Sequence, residues 1–292
     1  MRLVVVGCSG SFAGPDSPAS SYLVQVPAAD SPDGREWNLL LDMGNGALGA
    51  LQGILDPRRL DAIGLSHLHP DHFVDVCGLY VYLKYHPDRL TAAAAASGTG
   101  AAAASGAPGG SADQATAGTL PVWGPSNTAE RIGATYGLEA GESLESQFDF
   151  RAWVPGQVVR VGPLEIEPFR VFHPVEAYGV RVTGPSSLAL GERVTLAYTG
   201  DTDVCDGVVE LARGADLLLA EAAFHEGRDD AVDRGIHLTG RRAGEVATAA
   251  GAKRLVLTHL PAWNDKRAAR DEATAVYAGP VDLAATGRVF TL

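Results

Sequence analysis

The stretch Leu65-Ser66-His67-Leu68-His69-Pro70-Asp71-His72 sets three histidines and an aspartate within six positions, directly after the apolar run 62–65 and before a helix-patterned run, 73–84. The first run reads as a strand. In an extended chain alternate side chains share a face, so His67 and His69 point the same way and can grip one metal ion. Asp71 and His72 fall on the turn into the helix, where they can ligate a second ion beside the first. A pair of divalent ions suits hydrolysis, because it acidifies water and neutralises charge on the group attacked. The plainer reading is a polar turn with solvated histidines, and the density of ligand-type residues argues against it.

Two ions need more ligands, and other strand ends supply candidates. His173 follows the run 166–172, Asp201 sits in T-G-D-T after 194–198, and His259 follows 255–258. Each repeats one grammar, an apolar strand closed by one ligand-type residue. Alone, each reads as a surface or hydrogen-bonded residue; beside the 67–72 cluster they read as one site at a sheet edge. Glu221, in L-L-L-A-E-A-A, ends a further apolar strand and either orients an imidazole or caps local structure. His237, in H-L-T-G, precedes a helix and can donate a proton to a leaving oxygen. The small-residue loop 7–12, G-C-S-G-S-F, offers backbone N–H groups to an anion, which is weak evidence by itself.

Outside these positions β-rich and helical runs alternate. Strands are expected over 3–6, 21–26, 38–42, 62–65, 164–172, 179–183, 194–198, 216–220 and 254–258, and helices over 73–84, 128–136, 204–212, 240–250 and 265–277. That mixture predicts mixed sheets packed together and covered by helices. Residues 91–118 depart from it: 22 of 28 are Ala, Gly or Ser, with little to bury, so a flexible surface loop inserted into the domain is expected. No linker divides the chain, and residues 1–292 read as a single domain.

Lys and Arg number 23 against 35 Asp and Glu, a formal net charge of -12, which disfavours a broad nucleic-acid-binding face. No run reaches the ~18 apolar residues of a membrane helix. The short run 3–6 reads as the first strand and not as a secretory signal, so a cytoplasmic protein is expected. The three cysteines, Cys8, Cys77 and Cys205, have no CxxC spacing and read as reduced thiols packed inside. The tryptophans read as packing residues, and Pro57, Pro70 and Pro87 as turns.

His67-x-His69-x-Asp71-His72, His173, Asp201 and His259 together resemble the metal motifs of the metallo-β-lactamase superfamily, across nearly the whole chain. The resemblance implies an α+β fold, a four-layer αββα sandwich of two mixed β-sheets with outer helices and two divalent ions, zinc or manganese, at one edge. It also implies one ion on His67, His69 and His173, the other on Asp71, His72 and His259, Asp201 bridging, and an activated water as nucleophile. H-L-T-G at His237, A-E-A-A at Glu221 and the final L-T-H are similar to the ribonuclease Z-like phosphodiesterases. There the aspartate matching Asp71 also handles a proton from the attacking water, and the glutamate-oriented histidine assists the leaving group. Ala220 and Ala223 depart from the commonest form of that glutamate motif.

Transfer-RNA-processing members carry a long arm between the ligands matching His173 and Asp201. Here 28 positions separate them, and two expected strands already fill the interval. The segments G-C-S-G-S, G-D-T and L-T-H-L-P-A-W also look like those of bacterial cyclic-nucleotide phosphodiesterases. The expectation is hydrolysis of a 3′,5′-cyclic nucleotide, cyclic AMP, to 5′-AMP, with Asp71, Glu221 and His237 as catalytic residues. The competing readings are a ribonuclease Z-like endoribonuclease, a thioester, lactone or β-lactam hydrolase on the same metals, and a nucleotide sensor without turnover. A small phosphodiester is the expected partner ahead of nucleic acid. The family often forms homodimers, though the sequence shows no interface.

Overall fold

The computed structural model describes residues 1–88, 118–232 and 235–292. The segment expected to be a flexible loop, 91–118, lies outside them except for Gly118.

The first sheet is built from β1 (Arg2–Gly7), β2 (Ser21–Val26), β3 (Trp37–Leu41), β4 (Ala62–Gly64), β5 (Leu120–Gly124) and β6 (Phe148–Ala152). The second takes β7 (Val159–Val161), β8 (Leu164–Arg170), β9 (Tyr178–Pro185), β10 (Arg193–Tyr198), β11 (Leu217–Glu221), β12 (Leu255–Thr258) and β13 (Val281–Leu283). The last strand, β14 (Val289–Thr291), returns to the first, giving the orders β14-β1-β2-β3-β4-β5-β6 and β13-β12-β11-β10-β9-β8-β7. Both sheets are mixed. β1 to β3 and β7 to β10 run as antiparallel meanders, while β3 to β6 and β10 to β13 pair in parallel.

Alternation along the strands decides which face meets which layer. Leu3, Val5, Val24 and Leu39 of the first sheet share an apolar cluster with Ile166, Val182, Leu196 and Leu219 of the second, so the sheets pack face to face. Val4, Leu23, Leu40 and Ile63 point outward onto Leu51, Phe73 and Leu79 of the helices Ala47–Gln52, Pro70–Phe73 and Val76–Tyr85. Leu218, Ala220, Leu255 and Leu257 point outward onto Val208, Ala243, Ala247 and Ala269 of the helices Asp206–Ala212, Gly240–Ala250 and Lys266–Thr274. This is the expected αββα sandwich. β11 and β12 are buried along their whole length, as parallel strands covered on both faces must be.

Several expectations need correction. The helix expected over 73–84 begins at Pro70, which is its first residue and not a turn, and breaks after Phe73 before resuming as Val76–Tyr85. At the break Asp75 turns back, donating its N–H to Met43 O and accepting from Leu48 N. The helices expected from 204 and to 277 run Asp206–Ala212 and Lys266–Thr274, and the strand expected to 172 stops at Arg170. β5, β6, β7, β13 and β14 and the helix Ala47–Gln52 were not expected. Cys8 is buried, but Cys77 and Cys205 are only half-buried. Trp123 and Trp153 pack inside, whereas Trp263 is exposed. Among the described residues no helix is long and apolar enough to cross a membrane.

Candidate metal centre

β4 ends at Gly64, and the chain then enters the cluster read from the sequence. His67 is fully buried, His69 caps the short helix from outside, and Asp71 and His72 lie in its first turn. Asp42, just past β3, holds this turn in place. Its carboxylate accepts from Ser66 N at 2.7 Å, Ser66 Oγ at 2.8 Å and Tyr198 OH at 2.6 Å, and pairs with His72 Nδ1 at 2.8 Å. With Nδ1 so engaged, His72 turns Nε2 into the site.

The second sheet brings the remaining candidate ligands. His173 follows β8 and contacts Ile236 O through Nδ1 at 2.8 Å. His259 follows β12 and contacts Ser20 Oγ through Nδ1 at 2.9 Å. Asp201 follows β10 and is buried. Nε2 of His67 lies 2.9 Å from His69 Nδ1, which is 3.2 Å from His173 Nε2. Asp201 lies 3.2 Å from His72 Nε2, 3.3 Å from His259 Nε2 and 3.7 Å from His67 Nε2. Asp71 Oδ2 is 3.4 Å from His72 Nε2 and 3.8 Å from His259 Nε2.

Two sets of four emerge, His67, His69, His173 with Asp201, and Asp71, His72, His259 with Asp201; within each the ligand atoms lie within 4.8 Å of one another. His72 Nε2, His259 Nε2 and Asp201 Oδ1 are buried without a hydrogen-bond partner and converge on one space. Orphaned buried polar atoms are costly and call for an explanation. Imidazole nitrogens and carboxylates in groups of four are a donor set for zinc-like divalent cations, and Asp201 is common to both groups. The residues therefore fit a dinuclear metal site.

The electrostatics of four of the five histidines agree, and His72 runs the other way. Burial drives His67 well below the usual imidazole range and lowers His69, His173 and His259, which leaves neutral rings with lone pairs to share. Burial opposes charge on Asp201, yet His259, His72 and His67 hold its carboxyl well below the usual range. Against the same opposition from burial, His72 and His259 bring Asp71 to about 2. His72 is raised well above its ordinary value, because Asp201, Asp71 and Asp42 outweigh its burial.

Glu221 ends β11 and is 1% exposed. It accepts from Thr202 N and Ala223 N, each at 3.0 Å, and its Oε1 is 2.9 Å from His237 Nδ1. That pairing fixes the ring, with Nδ1 also 3.8 Å from Asp201. Burial disfavours the charged ring, but the Glu221 carboxylate raises His237 to about 9. Every candidate metal ligand and catalytic residue named from the sequence thus lies in one cluster, which takes six of the chain's eight histidines. Sequence reasoning missed the residues behind it: Asp42, Ser20, Ser66 and Tyr198. Asp42 alone carried a signal, since it closes the apolar run 38–42 as Asp201 closes 194–198.

The fold and the paired clusters define a metallo-hydrolase of the β-lactamase fold. Residues 38–260 match the family described as the beta-lactamase superfamily domain, and the chain belongs to that family. It is 40% identical over 294 residues to the uncharacterized protein ML1173 of Mycobacterium leprae (strain TN), covering 100% of this chain and 89% of that one. The probable metallo-hydrolase YhfI of Bacillus subtilis (strain 168) is 30% identical over 290 residues, covering 99% of both chains. The crystal structure of YhfI, a metallo-beta-lactamase fold protein, superposes with a TM-score of 0.74 at 28% identity, covering 99% of this chain and 98% of that one. Ribonuclease Z of Exiguobacterium sibiricum (strain DSM 17290) is 32% identical over 267 residues, covering 77% of this chain and 79% of that one.

Proposed function

We propose that the protein is a phosphodiesterase that hydrolyses a 3′,5′-cyclic nucleotide, cyclic AMP, to the 5′-monophosphate. The observation that carries this reading is the Glu221–His237 pair set against Asp201, a positioned acid beside the two ligand groups. Two divalent ions, zinc or manganese, held by His67, His69 and His173 and by Asp71, His72 and His259 with Asp201 shared, would supply Lewis acidity and a water acidic enough to attack at neutral pH. The water oxygen bonds to phosphorus in line with the departing 3′-oxygen. Asp71 takes the water's proton, the bond from phosphorus to the 3′-oxygen breaks, and His237 protonates that oxygen while Glu221 keeps the ring oriented. One core shared by both sheets supports reading 1–292 as a single domain.

A compact substrate is supported by the interval from His173 to Asp201, where β9 and β10 form a hairpin, and by the net charge of -12. The second reading, an endoribonuclease, is favoured by the similarity to ribonuclease Z from E. sibiricum. One experiment separates them. Purified protein reconstituted with zinc or manganese is incubated with cyclic AMP and with a precursor tRNA, beside the Asp71→Ala variant. The proposal expects 5′-AMP from the parent and none from the variant. RNA cleavage without 5′-AMP would establish the second reading, and full activity of Asp71→Ala would refute the proton role.

A further inference from the structure

Trp263 is 69% exposed although it lies four residues past His259, and its ring centroid is 4.6 Å from that of Phe12, with the planes tilted by 42°. Both rings are held by backbone tied to the ligand-bearing segment. Asn264 N bonds Pro261 O at 2.8 Å, closing a turn around Trp263, and Asn264 Nδ2 donates to Ala223 O at 2.7 Å, two residues beyond Glu221. Arg228 Nη1 donates to Asn264 Oδ1 at 2.8 Å and fixes the same side chain. On the other side Gly10 lies so close to His259 that a Cβ would stand 2.3 Å from its carbonyl oxygen. Phe12 N then bonds Gly10 O at 2.8 Å across Ser11, whose φ of 63° is one that only a constrained non-glycine residue keeps. Backbone strain of this kind persists where surrounding structure imposes it, commonly at ligand sites.

We propose that Trp263, propped by Phe12, is the face on which the base of the nucleotide stacks; this rests on the nucleotide reading above. Four residues span at most about 14 Å of chain, and the turn shortens that reach, so the Trp263 backbone lies close to His259. A planar heterocycle matches the feature offered, an indole left uncovered and held rigidly. Base–aromatic stacking is tolerant of base identity, so the face selects for a base while discriminating little between adenine and guanine. It also gives the loop 7–12 a task, since that loop positions Phe12.

The test compares wild type, Trp263→Ala and Trp263→Phe on cyclic AMP and on the base-free 3′,5′-cyclic phosphate of 1-deoxyribose, with 5′-AMP binding measured by calorimetry. Trp263→Ala should lower the kcat/KM preference for cyclic AMP over the base-free substrate by about 5- to 150-fold, mainly through KM, and weaken 5′-AMP binding by a similar factor. Trp263→Phe should retain most of the preference. Equal losses on both substrates, or no change in the preference, would overturn the proposal. So would a shift from dimer to monomer in sedimentation with the preference intact, since the rings would then join two copies. If wild type hydrolyses no cyclic nucleotide, the phosphodiesterase reading fails; 5′-AMP binding that depends on Trp263 would still uphold the stacking face, and absent 5′-AMP binding would overturn it.

Discussion

Asp42 has φ 57° and no exposed surface, and it gathers Ser66, His72 and Tyr198 around one carboxylate. Asp42→Ala would leave Ser66 N and the Tyr198 hydroxyl without an acceptor and free the His72 ring to rotate. Loss of such a support behind a metal ligand weakens metal affinity by about 10- to 100-fold, and breaking a buried charged network costs about 3–5 kcal/mol. Chelator competition and denaturant unfolding check both figures, and an unchanged zinc affinity would show that Asp42 does not position His72. His237→Ala tests a different role. It should lower kcat by about 100- to 10,000-fold, the range for a lost general acid, with both metal equivalents retained by elemental analysis; loss of metal would make His237 a ligand instead. The candidate ligands could be picked out in the sequence because histidine and aspartate cluster or close apolar runs. Asp42 closes an apolar run too, but only the folded turn at Ser66 reveals what its carboxylate holds.

The helices Gly240–Ala250 and Lys266–Thr274 cross where small residues let their backbones meet. A Cβ on Gly240 would lie 2.0 Å from Ala269 O, a backbone atom that cannot swing aside. Gly240→Ala should therefore destabilise the fold by about 1–3 kcal/mol, the usual penalty for overpacking, despite alanine's better helix propensity. Thermal unfolding measures this, and an equal or higher Tm would contradict the contact. Element by element, the sequence was readable where a pattern ran long enough. β7, β13 and β14 have three residues each and sit at sheet edges, so pairing with a neighbour defines them more than their own pattern. β5 contains Pro121 and Gly124, residues that argue against a strand, yet it pairs with β4 and β6 on its two sides. The early helix start at Pro70 follows from proline's fitness for the first helical position, a signal that was present and read as a turn.

At the scale of the molecule, the site belongs to neither sheet alone. His67, His69, Asp71 and His72 follow β4 of the first sheet, while His173, Asp201, Glu221 and His259 come from strand ends of the second. Face-to-face packing is what brings the two candidate ligand groups onto a shared Asp201, and the three buried carboxylates there, Asp71, Asp201 and Glu221, with Asp42 behind them, call for compensating positive charge. On the proposed function, hydrolysis of a cyclic phosphodiester depends on two cations in this cluster. The most direct test strips the protein with a chelator, adds zinc back in measured equivalents and follows 5′-AMP released from cyclic AMP. Stripped protein should release none, and the rate should rise to saturation at two equivalents per chain. Undiminished release from stripped protein, or zinc bound to saturation with no 5′-AMP formed, would contradict it.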